Sequence, residues 1–194
     1  TLYGEARFVD AHTIEVATAE GERVVTSDHV LIACGTRPFR PTHVPFDGAQ
    51  VLDSDEILDL PRLPRSMTVI GAGVIGIEYA TIFSALDVAV TLIEPRETFL
   101  DFIDKELIEE FVHELRDRDV GLRLGSAATS ITVEDDRVVS TLTNGRRVSS
   151  EMLLFAAGRV GATDGLNLSA VGLEVDHRGR LAVEPKTMQT AVPH

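Results

Sequence analysis

Apolar and polar residues alternate along the first part of the chain in the way that half-buried β-strands require. The segments ARFVD, HTIEVAT and RVVTS show this period of two, and Gly21 marks a tight turn between the last two of them. The next segment, DHVLIACG (28–35), is instead continuously apolar and ends in small residues. Such a run is typical of a strand that is buried on both faces, so we expect three short strands followed by a buried one.

The middle of the chain predicts a strand–helix–strand unit. MTVIG (67–71) and VAVTLIE (88–94) have the pattern of buried strands, and VIGIEYATIFSAL (74–86) between them predicts a helix. A short helix is expected in DSDEILDL, capped by Ser54 or Asp53, and Asp104 is expected to cap a longer amphipathic helix. The residues expected on the apolar face of that longer helix are Leu107, Ile108, Phe111, Val112 and Leu115.

The last part of the chain returns to a β pattern. VGLRLG, ATSITVE and RVVSTLT predict strands, and Asn144-Gly145 predicts a hairpin that joins the last of them to RRVSS. EMLLFAAG (151–158) is a second continuous apolar run that ends in small residues, and GLEVD and LAVE are strand-like around a turn at HRGR. This order of elements predicts an α/β fold, with a Rossmann-like dinucleotide-binding domain and a β-meander in residues 42–160.

Three glycines with the spacing G-x-G-x-x-G follow the first strand of that domain and open the helix after it. Gly71 allows a tight turn, Gly73 lets phosphate groups approach the backbone, and Gly76 lets the helix pack closely on the sheet. The start of a helix also presents free N–H groups, which favour the negative charge of a pyrophosphate. We therefore expect a dinucleotide site here, in which Val74 and Ile75 complete the loop.

Glu94 ends the next strand, 18 residues after the last glycine, where the carboxylate that binds the adenosine ribose is expected. It can accept hydrogen bonds from both ribose hydroxyls of NAD, and it would repel the 2′-phosphate of NADP. We therefore predict a preference for NAD(H) that Glu94→Ala narrows. Arg96 is either a plain surface arginine or a partner for a 2′-phosphate, which would offset part of that repulsion.

Composition and charge narrow the class of function. The formal net charge of -13 argues against nucleic-acid and anionic-membrane partners, and no apolar run reaches the roughly 20 residues of a membrane helix. The single cysteine excludes an internal disulfide framework and fits a cytoplasmic protein, and no cluster of His and Cys predicts a metal site. No signal peptide opens the chain. Because Thr1 is not an initiator methionine, we expect a fragment or a processed product.

Four segments in this order, IACGTRP, TVIGAGVIGIEYA, TLIEP and FAAGRVG, resemble the flavoprotein reductases that carry two dinucleotide-binding domains. That family includes lipoamide dehydrogenase, glutathione and mercuric reductases and transhydrogenases, and the resemblance covers essentially the whole chain. The stretches DSDEIL and FLDFIDKE and the segment from LLFAAGRVG to HRGRL are most similar to the transhydrogenase branch. The resemblance implies that residues 1–41 and 161–194 are partial segments of an FAD-binding domain, interrupted by an NAD(P)-binding domain in residues 42–160.

The resemblance also implies roles for two segments of small residues. Ala33, Cys34 and Gly35 would end a strand beside the FAD, where Cys34 replaces the usual threonine and is expected to be a small buried residue without a redox role. Ala157 and Gly158 would close the NAD(P)-binding domain, with their backbone near the bound nicotinamide dinucleotide.

Two helix residues gain expectations from the same resemblance. Glu78 matches a buried glutamate that pairs, in relatives, with a lysine beside the flavin and supports hydride transfer there, although a glutamate in this first turn also suits the helix dipole. Val74 lies where some relatives carry a tyrosine that gates the nicotinamide pocket, so we expect no gate of that kind.

Other parts that the family uses would lie outside this chain: the first glycine loop for FAD, an FAD-binding aspartate, any redox cysteine pair and the dimerisation domain. The fragment is therefore expected to bind NAD(H) or NADP(H), to lack FAD and to be inactive alone. The full-length protein is expected to be a homo-oligomer.

Three functions stay open. The first is an FAD-dependent transhydrogenase that moves hydride from NADPH to NAD+ by way of the flavin. The second is an NAD-dependent disulfide reductase of the dihydrolipoamide dehydrogenase type, which a Cys-x4-Cys pair upstream would favour. The third is a non-catalytic nucleotide-binding redox module, for which the sequence offers no positive sign.

Overall fold

The structure, a computed structural model, describes every residue from Thr1 to His194 and divides them into two compact units. Thr1–Arg37 and Arg159–His194 form the first, which we call the split unit, and Pro38–Gly158 form the second, the central unit. The sequence-based boundaries lie after residues 41 and 160, whereas the chain crosses between the units after Arg37 and after Gly158.

The chain forms the following strands, in order: β1 (Gly4–Asp10), β2 (Thr13–Thr18), β3 (Gly21–Thr26), β4 (Thr36–Pro38), β5 (Val51–Asp53), β6 (Ser66–Ile70), β7 (Ala89–Glu94), β8 (Gly121–Leu124), β9 (Ala128–Glu134), β10 (Arg137–Leu142), β11 (Arg147–Ser150), β12 (Met152–Phe155) and β13 (Arg159–Gly161). The α-helices are α1 (Val74–Ala85) and α2 (Lys105–Asp117), and short 3-10 helices cover Glu56–Asp59, Asp164–Leu166 and Leu168–Val171.

The split unit contains an antiparallel sheet in the order β1-β2-β3, so the alternating pattern at the start of the chain was interpreted correctly. The buried strand predicted in residues 28–35 is wrong, because this segment forms no strand and Leu31 is 89% exposed. A strand needs a neighbour for its N–H and C=O groups, and no strand of the structure pairs with this segment. The strand-like segments around HRGR likewise reduce to one isolated bridge, between Val175 and Leu181.

The central unit is built on a parallel five-stranded sheet in the order β5-β12-β6-β7-β8. Successive residues of β12 face opposite sides of the sheet, and both sides are covered. Leu154 belongs to the core cluster that includes the α1 residues Ile77, Ala80 and Phe83, whereas Leu153 belongs to a second cluster with residues of β9 and β10. The continuous apolar runs therefore form strands that are buried on both faces.

The second cover of the sheet is the predicted meander, an antiparallel sheet in the order β11-β10-β9. Asn144-Gly145 turns β10 into β11, and Gly145 has a φ of 78°, which explains why glycine is needed there. The central unit thus has helices on one face of a parallel sheet and a meander on the other. This is a mixed α/β architecture that agrees with the Rossmann-like fold expected from the sequence.

The predicted cap at Asp104 is confirmed, whereas the N-cap of the short helix is Asp55, without a side-chain cap hydrogen bond, and not Ser54 or Asp53. Asp104 accepts a hydrogen bond from the N–H of Glu106 at 2.9 Å at the start of α2, and Asp53 accepts from the N–H groups of Asp55 and Glu56. The helix that follows Asp53 is a short 3-10 helix. Leu107 is 64% exposed, so the prediction that it lies on the apolar face of α2 was wrong. At about 100° per residue, it lies about 90° from the centre of the stripe that the other four residues form.

Candidate functional site

The glycine loop connects β6 to α1, and two of its glycines are required by the packing of the protein itself. Gly71 has a φ of 101°, and a Cβ atom at this position would lie 2.7 Å from the carbonyl oxygen of Ala156. A Cβ atom on Gly76 would lie 1.8 Å from the carbonyl oxygen of Gly71. Side chains at these two positions would push the loop, the helix and the end of β12 apart.

Gly73 is different, because a Cβ atom there would meet no protein atom within 4 Å. It is the N-cap residue of α1, and no side chain caps the helix. The first turn, which includes the exposed Val74 and the partly buried Ile75, carries neither acidic nor hydrogen-bonding cap residues that would occupy its N–H groups. Uncapped N–H groups at a helix start, with open space before them, form a suitable site for a phosphate.

Glu94, at the end of β7, is only 4% exposed and is bonded on both of its oxygens. Its Oε2 accepts a hydrogen bond from the N–H of Ala72 at 2.7 Å, and its Oε1 accepts from the backbone N–H and the Nε of Arg96, at 3.1 and 2.8 Å. Burial raises the pKa of this carboxyl, but the hydrogen bonds from Arg96 and Ala72 outweigh it and leave the pKa below its ordinary value. Glu94 is therefore an ionised group that ties the glycine loop to the segment after β7.

Arg96 brings its charge directly against that carboxylate, while about half of its side chain stays exposed. Its Nη1 also lies 3.6 Å from the Oδ2 of Asp101. The hydrogen bond to Glu94 is the main reason why the pKa of the guanidinium is raised. Because Arg96 offsets part of its charge, Glu94 would repel a 2′-phosphate less than the unpaired carboxylate expected from the sequence.

The small-residue segment after β12 reaches the same place. The N–H of Ala156 donates to the carbonyl oxygen of Ile70 at 2.8 Å, and the Cα atom of Ala157 would lie 3.0 Å from a Cβ atom on Gly71. Gly158, with a φ of 117°, is exposed like Ala157. The structure thus brings together three elements that the sequence singled out separately: the glycine loop, the end of β7 and the Ala157–Gly158 segment.

The remaining candidates are exposed. Glu78 lies on α1 with its side chain exposed, where the family resemblance implied a buried glutamate. In the split unit, Ala33 and Gly35 are exposed, and so is Cys34, so the expectation that Cys34 is buried was wrong. The physical reason is that residues 28–35 form no strand, so only Val30 and Ile32 of this segment are partly buried.

The sequence did not single out Ala72, Thr98 or Asp101. Ala72 contributes a backbone N–H, which leaves no signal in the choice of side chain. Asp101 lies on an irregular loop between β7 and α2, where no periodicity indicates which side chains meet. The opposite charges at positions 96 and 101 are the one sequence signal that could have indicated this pair.

The structure contains neither a metal-binding cluster nor a helix that could span a membrane. No group of three or more His, Cys, Asp and Glu side chains is placed to hold a metal ion. None of the helices has the length and apolar character that crossing a membrane would require.

Comparisons with known proteins agree with this geometry. The sequence profile described as "Pyridine nucleotide-disulphide oxidoreductase" matches residues 1–194. A soluble pyridine nucleotide transhydrogenase from Mycobacterium tuberculosis is 47% identical over 195 residues, covering 100% of this chain and 42% of the relative. The protein of that name from Escherichia coli is 41% identical over 194 residues, covering 100% of this chain and 41% of the relative. The chain thus spans less than half the length of the curated relatives it matches.

Solved structures give the same result. LpdA from Mycobacterium tuberculosis superposes with a TM-score of 0.90 at 27% identity, over 97% of this chain and 42% of LpdA. The HOCl-induced flavoprotein disulfide reductase RclA from Escherichia coli superposes with a TM-score of 0.86 at 27% identity, over 97% of this chain and 42% of RclA. With a family match that extends over every residue, the chain belongs to the pyridine nucleotide-disulphide oxidoreductase family.

Proposed function

We propose that the central unit binds NAD(H) and NADP(H) at the glycine loop, and that the full-length parent is an FAD-dependent soluble pyridine nucleotide transhydrogenase. The family uses flavin and pyridine nucleotides, and the curated relatives at 41% and 47% identity carry the transhydrogenase name. The observation that carries the proposal is the open space before Gly73 at an uncapped helix start.

The residues present fit a nicotinamide dinucleotide. The free N–H groups of Val74 and Ile75 would hold the pyrophosphate, because the helix dipole favours an anion there and the first turn of α1 carries no acidic side chain. Glu94 would lie beside the adenosine ribose, and the backbone of Ala157 and Gly158 would lie along the nicotinamide half. The already fixed geometry of the loop lowers the ordering cost of binding.

The Glu94–Arg96 pair would let one site serve both nucleotides. With NAD(H), Glu94 keeps about one acceptor position for a ribose hydroxyl, since a carboxylate has about four such positions and three hydrogen bonds occupy it here. With NADP(H), the exposed half of the Arg96 guanidinium would pair with the 2′-phosphate. We expect a modest preference for NAD(H).

The protein's contribution to the reaction is positioning. In the parent enzyme the bound flavin supplies the relay for hydride between the two nucleotides. This chain would hold the nicotinamide in place through the loop and the Ala157–Gly158 segment. Ala33 and Gly35 would lie on the FAD side, and Glu78 would support the flavin from α1. This chain alone would carry no FAD and would not turn over, and the parent would be a cytoplasmic homo-oligomer.

The test compares two glycines that are equally open in the structure. Gly73→Ala and Gly165→Ala each place a methyl group where no protein atom lies within 4 Å, and neither glycine has a φ in the left-handed region. Calorimetric titration should show that Gly73→Ala lowers the affinity for both nucleotides at least about tenfold, because the methyl group blocks the phosphates. Gly165→Ala should bind as the unmodified chain does.

Thermal unfolding provides the control for Gly73→Ala, whose cost as a changed helix cap should stay within about 1 kcal/mol. If the unmodified chain bound neither nucleotide, or if Gly73→Ala bound both as well as Gly165→Ala does, the proposed site would be wrong.

A disulfide reductase remains the second candidate, because the family description and the name of RclA both include disulfide chemistry. This chain has one cysteine, Cys34, so a reductase would need a cysteine pair from elsewhere in the parent. Reduction of a lipoamide-type disulfide by the full-length protein with NADH, in the absence of hydride transfer from NADPH to NAD+, would favour this alternative.

A further inference from the structure

The side chain of Arg96 has two acidic partners of different kinds. Its Nε donates to the buried Glu94 at 2.8 Å, whereas its Nη1 lies 3.6 Å from Asp101, whose side chain is 63% exposed. The pair with Glu94 is short, its carboxylate is buried, and a backbone hydrogen bond from Arg96 supports it. The pair with Asp101 is long and solvated, and such pairs contribute little stability. Arg96 can therefore keep its ion pair with Glu94 while another anion replaces Asp101.

Asp101 is nevertheless held in position. Thr98 donates a hydrogen bond from its Oγ1 to the Oδ1 of Asp101 at 3.0 Å. Between these two residues, Phe99 is buried in the core of the central unit, and Leu100 packs against the same core with a φ of 54°. Thr98 and Asp101 are both exposed, and Asp101 lies beside the guanidinium of Arg96.

We propose that Asp101 sets the preference of the site between NAD(H) and NADP(H), by occupying the outer face of Arg96 to which a 2′-phosphate would bind. The inference rests on the proposed nucleotide site. A 2′-phosphate carries close to two negative charges near neutral pH, so it must displace Asp101 from Arg96 and also bear its repulsion. NAD(H) has no group at this position and leaves the Arg96–Asp101 pair intact.

The test is the substitution Asp101→Asn, which keeps the size of the side chain and removes its charge. Titration of the chain with NADP+ should show an affinity about threefold to tenfold higher than in the unmodified chain, at low ionic strength. The affinity for NAD+ should change by less than about twofold. At roughly 1 M salt the gain for NADP+ should largely disappear, because the charges involved are exposed and are screened.

Two further variants make the test specific. Asp135→Asn removes the same charge from the exposed turn between β9 and β10. Asp135 forms no ion pair with Arg96, whose acidic partners are Glu94 and Asp101, so this variant should leave the ratio of the two affinities unchanged. In an Arg96→Gln background, Asp101→Asn should no longer raise the affinity for NADP+ selectively, because the shared guanidinium is missing.

The outcomes separate this inference from the proposed function. If the unmodified chain binds both nucleotides, either of two results would show that the proposed role of Asp101 is wrong, and the nucleotide site would stand. In the first, Asp101→Asn leaves the ratio of the NADP+ and NAD+ affinities unchanged. In the second, Asp101→Asn raises the NADP+ affinity in the Arg96→Gln background as well. If the unmodified chain binds neither nucleotide, the proposed site falls and the role of Asp101 falls with it.

Discussion

Two segments of the chain have nearly the same sequence pattern and opposite structures. DHVLIACG (28–35) and EMLLFAAG (151–158) are both continuous apolar runs that end in small residues. The second forms β12 between β5 and β6, with Leu153 and Leu154 fully buried. The first forms no strand, and its Leu31 is 89% exposed.

The difference shows that a continuous apolar run forms a buried strand only where the fold provides a neighbouring strand on each side and a layer on each face. β12 finds both, because β5, β6, α1 and the meander all come from the central unit. Residues 28–35 lie in a unit whose sheet consists of β1, β2 and β3 only, beside the short ribbon of β4 and β13. The energetic value of an apolar side chain therefore depends on what surrounds it.

The largest expected effect comes from shortening one leucine in each run. Leu154→Ala, in the core of the central unit, should lower the free energy of unfolding by about 2 to 5 kcal/mol, because it leaves a cavity between the sheet and α1. Leu31→Ala should change it by less than about 0.5 kcal/mol. Urea denaturation measures both, and equal losses would show that residues 28–35 are as well packed as β12.

A smaller effect should separate two carboxylates whose pKa values are both lowered. Glu94 is buried in the central unit, and Asp176 is exposed beside Arg180 in the split unit. Glu94→Gln at pH 7 should cost about 1 to 3 kcal/mol of unfolding free energy, because it weakens the hydrogen bonds from Ala72 and Arg96. Asp176→Asn should have little effect on global unfolding, since solvent screens its ion pair.

The contribution of Glu94 to the free energy of unfolding should depend on pH. Because the pKa of Glu94 is lower in the folded chain than its ordinary value of 4.5, its ionised form stabilises the fold fully above that value. This stabilisation is lost as the pH falls through the folded pKa. The difference between the unmodified chain and Glu94→Gln should therefore be largest near neutral pH and shrink below about pH 4.5. A difference that stays constant down to pH 3 would contradict the assignment of ionised Glu94.

The smallest expected effect compares two buried serine hydroxyl groups of the central unit, one with a hydrogen-bond partner and one without. The Oγ of Ser140 in β10 is buried without a hydrogen-bond partner, whereas the buried Oγ of Ser150 donates to the carbonyl oxygen of Met152 at 2.7 Å. Ser140→Ala should be neutral or should stabilise by up to about 1 kcal/mol, and Ser150→Ala should destabilise by about 1 kcal/mol. Equal destabilisation in the two variants would mean that Ser140 also has a partner.

The sequence predicted most of the central unit because its signals are local. The glycine spacing, the cap at Asp104 and the Asn144-Gly145 turn each depend on a few neighbouring residues. The exposure of Leu31 and of Cys34 could not be predicted in this way, because it depends on which strands are present to cover them. The pairing of Glu94 with Ala72, and of Arg96 with Asp101, likewise depends on side-chain positions in loops that no periodicity specifies.

The double attachment of Glu94 has a consequence for redesigning cofactor choice. A substitution at this position would change the surroundings of the ribose, but it would also release Ala72 in the glycine loop and the backbone of Arg96. A substitution at Glu94 would therefore change the nucleotide preference and the geometry of the glycine loop at the same time. Asp101 is exposed and contacts the side chains of Thr98 and Arg96, without a hydrogen bond to the glycine loop. Redesign of the nucleotide preference should therefore begin at Asp101.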